Sequence, residues 1–168
     1  MSWTRVALLA ALMTCFEGTA LAQEARRVRI EQAVTGFERV NPSTRLYQTR
    51  QRITRVYGEA FAFGETPEQT AGRFVQDHAL MLGAEPGELE AGSLVDGSRT
   101  RGVMFDRQTG QYKFTLVYYG QQRGGIPVFR SELRLLVRNE IGNPLVLASS
   151  SLRDLGGFRA AALQPAAL

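Results

Sequence analysis

His78 is the only histidine in the chain, and it directly follows Asp77. A Ser-His-Asp triad would need such an imidazole as its general base. Its position argues for packing instead. His78 falls at the edge of an apolar stripe made by Ala71, Phe74, Val75, Ala79 and Leu82, so it is read as a partly buried helix histidine. Glu88 and Glu90 could divide acid and base roles between them. They lie in a polar loop and are read as a solvated pair. Tyr118, Tyr119 and Arg123 could form an aromatic and cationic binding rim. The plainer reading puts Tyr118 in the core and Tyr119 on the open face of a sheet. A zinc site of the usual type needs histidines and cysteines that this chain lacks. There is no HExxH, no phosphate-cradling glycine loop and no GxSxG. The sequence therefore predicts no active site, no metal and no cofactor.

The first residues read as an address. Arg5 supplies a short positive region, Val6 to Met13 an apolar run, and Ala20-Leu21-Ala22 the small-x-small pattern that signal peptidase recognises. The predicted signal peptide is 1–22, with cleavage before Gln23. The apolar run is too short to span a bilayer, so no stable membrane insertion is expected once it is removed. Cleavage would also remove Cys15, the only cysteine. The exported protein, secreted or periplasmic, would then rely on its core without disulfides. Roughly 146 residues remain, enough for one domain with a core.

The formal net charge is +4, and Lys113 is the only lysine among 20 basic residues. Arginine suits phosphate. Here the arginines are interleaved with acids, and the nearest thing to a cluster is Arg45, Arg50, Arg52 and Arg55. No nucleic-acid partner is expected.

The elements that must carry these residues come next. Ile30, Ala33, Val34 and Phe37 have helical spacing, and Asn41-Pro42-Ser43 stops that helix, so 23–49 is expected to be a helix or a docked arm. Ile53, Val56, Tyr57, Phe61 and Phe63 predict a strand between Arg50 and Phe63, with a bulge or bend at Gly58. Thr66-Pro67-Glu68-Gln69 combines a capping hydroxyl, a proline at the first helical position and a glutamine three residues after the cap. It opens a helix over Pro67–Leu82, which Gly83 can end in a left-handed cap. Val103 to Phe105 is a short strand candidate, and Gln111 to Tyr119 alternates, with Tyr112, Phe114, Leu116 and Tyr118 on one side. Gly120 to Gly125 reads as a polar hairpin loop. In Val128 to Arg138, Phe129, Leu133, Leu135 and Val137 share the predicted dry face. Arg130, Glu132, Arg134 and Arg138, with Leu136, share the wet one. A turn at Asn139–Asn143 leads to a returning strand, and 156–168 is a flexible tail or the start of a truncated module. The predicted class is α+β: a small antiparallel sheet with one main helix packed on one face.

The order of elements carries a resemblance. "TPEQTAGRFVQDHALMLGAEPGELE" is followed by "GQYKFTLVYYGQQRGGIPVFRSELRLLVRNEIGNPLVLASSSL". This resembles the fungalysin/thermolysin propeptide (FTP) domain over roughly Arg50 to Leu155. The match rests on Met81-Leu82-Gly83 at the helix end, the Gly125-Ile126-Pro127-Val128-Phe129 step, and Glu132-Leu133 in the following strand. Arg130 departs from the family, which usually has glycine or another small residue there. The turn "RNEIGN" also differs from the family's more acidic one.

The resemblance implies a non-enzymatic module that sits ahead of a secreted zinc metallopeptidase, helps it fold and holds it inactive. The implied partner is the metallopeptidase catalytic domain, in cis or in trans. The expected contact is the open sheet face with Arg130, Glu132, Arg134 and Arg138, joined by Tyr119. The alternative is a free-standing cell-envelope protein-binding module that has lost its protease link.

Overall fold

The computed structural model describes residues 3–156, with side chains from Leu21 onward. Most of the predicted signal segment and the tail 157–168 therefore lie outside the described side chains. Helix α1 runs Trp3–Val40, strand β1 Thr44–Thr49, β2 Arg52–Ala62 and helix α2 Pro67–His78, which continues into a 3₁₀ turn at Ala79–Leu82. A second 3₁₀ turn, Pro86–Glu88, leads into β3 Leu89–Ala91, β4 Thr100–Asp106, β5 Gln111–Arg123, β6 Ile126–Arg138 and β7 Leu145–Ser150. The strands form one antiparallel sheet in the order β1-β2-β7-β6-β5-β3, with β4 also paired to β5. The class is α+β, as predicted.

Helix α2 starts where its sequence says it should. The Thr66 hydroxyl accepts the Gln69 N–H at 3.2 Å, and Pro67 takes the first turn. The Gln69 side chain reaches past the cap to the Glu65 N–H, 3.2 Å away. The regular helix ends at His78, four residues before the predicted end at Leu82. Gly83, at φ +86°, closes the 3₁₀ turn by donating its N–H to the carbonyls of Ala79 and Leu80.

Phe74, Val75, Ala79, Met81 and Leu82 pack against Val56, Leu133, Leu135, Val137, Leu145 and Ala148 of the sheet. Helix α1 joins through Phe37, whose ring lies 5.8 Å from that of Phe61 and 5.0 Å from that of His78. Fully burying one such side chain stabilises the fold by about 1.5–3 kcal/mol. Arg26 fastens the start of this docked region. It reaches Asp154 at 2.7 Å, Glu85 at 3.1 Å and the Gly83 carbonyl at 3.1 Å.

Several expectations change in the sheet. Residues Thr44–Thr49, assigned to the arm, form edge strand β1. The turn into β2 uses Arg50 and Gln51, both at positive φ (50° and 64°), in place of the Asn-Gly that such hairpins favour. Gly120 to Arg123 is strand and not loop; only Gly124 and Gly125 turn, at φ 60° and 77°. Tyr119 lies under α2 against the core, while Tyr118 lies opposite Arg134 on the other face, the reverse of the predicted pair. Phe129 is 80 % exposed and so is not part of the core, whereas Leu133, Leu135 and Val137 are fully buried. The cause is a bulge between Gly120 and Gln122, which changes the strand's phase between Phe129 and Leu133.

Glu88 and Glu90 are not a solvated pair. Glu90 is exposed, but the Glu88 carboxylate is buried, ion-paired with Arg123 and hydrogen-bonded by Gln121. Gln121 is the hub of this cluster. It accepts from the Ser131 hydroxyl and exchanges two 2.8 Å bonds with the Arg153 backbone. No described buried side-chain polar atom is left without a partner, as a stable interior requires.

Candidate protein-binding face

Both helices pack on one side of the sheet, beside Val56, Ala148, Leu135 and Val117. On the opposite side the pairing register sets two rows across the strands, because directly paired residues share a face. The first row is Tyr47–Arg55–Ser149–Arg134–Tyr118. The second is Arg45–Tyr57–Leu147–Leu136–Leu116–Arg101. Leu147, Leu136 and Leu116 are half-buried and form an apolar strip with an arginine at each end. Beyond it, Val103, Phe114 and Arg138 continue the face.

The predicted contact residues separate on this framework. Arg134 and Arg138 stand on the open face, with exposed side chains. Glu132 points to the same side but is buried: its carboxylate accepts Arg134 Nε at 2.7 Å and the Leu94 N–H at 3.3 Å. The β3–β4 loop covers it. Leu94 lies over Gly120 so closely that a Cβ there would come within 2.6 Å of its methyl. Arg130 is exposed in the bulge, and its guanidinium lies 5.1 Å from the centre of the Phe129 ring. Tyr119 is on the helix side and does not join the face; burial first, and then the Glu68 carboxylate, push its phenol pKa up.

The face also holds residues the contact prediction omitted: Arg45, Tyr47, Arg55, Tyr57 and Arg101. The alternation Arg45-x-Tyr47 and Arg55-x-Tyr57 was the available signal, hidden because β1 was not recognised as a strand. Arg55 lies over the Tyr47 ring at 5.9 Å. Arg138 is paired with Glu140 at 2.9 Å and Arg101 reaches Asp96 at 3.8 Å, while no ion pair is recorded for Arg45 or Arg55 among the described residues. The arrangement can take an apolar ridge bordered by carboxylates: leucines in the middle exclude water, and the arginines at the rim select sign and register.

His78 is half-buried between Phe37 and Phe74, 5.0 and 5.4 Å away. Burial lowers its pKa from the ordinary 6.5, and the Asp77 carboxylate opposes this only in part. It is part of an aromatic cluster, not of a triad. A cleft of about 680 Å³ opens between α1 and the β1–β2 turn, floored by Ile30, Val34 and Ile53. Arg27 and Glu31, which also line it, are paired at 3.0 Å. Among the described residues no helix is long and apolar enough to cross a membrane, and no group of three or more His, Cys, Asp or Glu residues could hold a metal ion. No family model, curated protein or solved structure compared with the chain matches it.

Proposed function

We propose that the chain is an exported propeptide-type module that chaperones or inhibits a secreted zinc metallopeptidase through its open sheet face. The observation that carries this reading is the row Arg45–Tyr57–Leu147–Leu136–Leu116–Arg101, apolar at its centre, cationic at both ends and lying on the side away from both helices. The resemblance over Arg50 to Leu155 supplies the class of partner. A module that binds only the native catalytic domain stabilises it by mass action, by about 2.7 kcal/mol when present at a hundred times its Kd. Covalent linkage would raise its effective concentration to the millimolar range.

The test adds the purified exported chain to a refolding zinc metallopeptidase of the thermolysin class from the same organism. Refolding yield should rise and peptidase activity should fall. Leu136→Arg, which places a charge in the middle of the apolar strip, should remove both effects. A peptidase whose yield and activity are both unmoved by the wild-type chain rules the proposal out. The ion pairs that Arg134 and Arg138 make within the chain favour one second reading, a free-standing envelope binding module. A peptidase gene beside this one would speak against it.

A further inference from the structure

The β5–β6 hairpin departs from regular pairing at one place. Between the pairs Gly120↔Glu132 and Gln122↔Pro127, β5 supplies only Gln121 while β6 supplies Val128, Phe129, Arg130 and Ser131. The excess is extruded. Phe129 ends 80 % exposed, and Arg130 takes φ +52°, a left-handed conformation that a non-glycine residue adopts only at a cost. The extrusion has a firm base. Ser131, at its foot, is fully buried and donates to Gln121, which is itself locked to the Arg153 backbone by two 2.8 Å bonds. On the opposite strand Arg123 is held by Glu88 and by the Gly156 carbonyl at 3.0 Å. An exposed aromatic ring on a loose loop would be unremarkable. Here it is presented on a strained bulge whose foot is fixed by buried hydrogen bonds, so little entropy remains to be lost on binding.

We propose that Phe129, backed by Arg130, is an anchor that enters an apolar pocket ringed by carboxylates on a folded protein partner. The inference deepens the reading above and rests on it for the partner's identity. Charge chooses the rim. From Gly120 to Ser131 the chain contains two arginines and no acidic residue. Arg123 is committed to Glu88, and no ion pair is recorded for Arg130 among the described residues. A second copy of this chain meeting at the same tip would place Arg130 against Arg130. A bilayer fits less well: Phe129 with a 43 % exposed Ile126 offers less apolar surface than one acyl chain, which itself gives only marginal membrane binding. Aromatic residues with arginine beside them are the usual hot spots of protein interfaces.

The experiment titrates the same zinc metallopeptidase with three forms of the exported chain: wild type, Phe129→Ala and Arg130→Gly. Phe129→Ala, at an exposed position, should leave the melting temperature unchanged and weaken binding about thirtyfold. Arg130→Gly relieves the left-handed strain and should raise the melting temperature by about 3 °C. It should nonetheless weaken binding, which a purely structural role for Arg130 would not predict. If the wild type binds and Phe129→Ala binds equally well, this inference fails and the proposed function stands. If the wild type does not bind, both fail. Phosphatidylglycerol vesicles that retain the wild type but release Phe129→Ala, or a wild-type dimer that Phe129→Ala dissociates, would also overturn the inference by assigning the tip another occupant.

Discussion

His78 shows how one residue's surroundings decide its chemistry. Packed edge-on against Phe37 and near Phe74, its ring is cheaper to keep neutral than to charge, so its pKa falls below 6.5. Above that value the imidazole is neutral in both folded and unfolded chains and contributes no pH dependence. As the pH drops below 6.5 the unfolded chain takes up a proton before the folded one does, so stability is lost until the folded pKa is also passed. The melting temperature should therefore fall between pH 7.5 and pH 5.5, and His78→Gln should flatten that fall. An equal drop in both proteins would remove His78 as the cause. The sequence made the packing role of this residue legible, because its position in the apolar stripe is a matter of helical spacing. It could not show the fate of Glu88, because the burying contacts come from Gln121 and Arg123, more than thirty residues away.

At the scale of elements, legibility followed the locality of the signal. Helix α2 was readable because Thr66, Pro67 and the apolar stripe all lie within a few turns of one another. Leu133, Leu135 and Val137 were readable because alternation holds wherever a strand is unbroken. Phe129 was misplaced because nothing in its immediate sequence announces the bulge, whose buried residues Gln121 and Ser131 lie on two different strands and bond to each other across them. Tyr118 and Tyr119 were exchanged because both faces of β5 are apolar, so alternation alone cannot tell which one α2 covers. Strand β1 escaped notice because its turn lacks the Asn-Gly signal. The Arg123–Glu88 pair ties the hairpin to the 3₁₀ turn at Pro86–Glu88. Arg123→Met leaves the buried Glu88 carboxylate with hydrogen bonds but no countercharge and should destabilise the protein by about 3 kcal/mol. Adding Glu88→Gln should recover much of that loss in urea unfolding. Without such recovery, the ion pair would not be the reason Arg123 matters.

For the whole molecule, the position of β7 governs assembly. β7 lies between β2 and β6, which do not pair with each other. The β1–β2 hairpin and the block from β3 to β6 are thus two leaves of a sheet joined only when Leu145–Ser150 is threaded between them. These contacts span a large sequence separation, which slows folding. Until synthesis reaches that strand, each leaf has a bare edge able to pair with a neighbouring chain. A chain ending at Asn143 should therefore be insoluble or unfolded despite retaining α2 and six of the seven strands found among the described residues; a soluble, cooperatively melting product would contradict this. Were such a polypeptide to cross a membrane before folding, it could not lock prematurely and would reach the far side still slack, with β7 yet to be stitched between its neighbours.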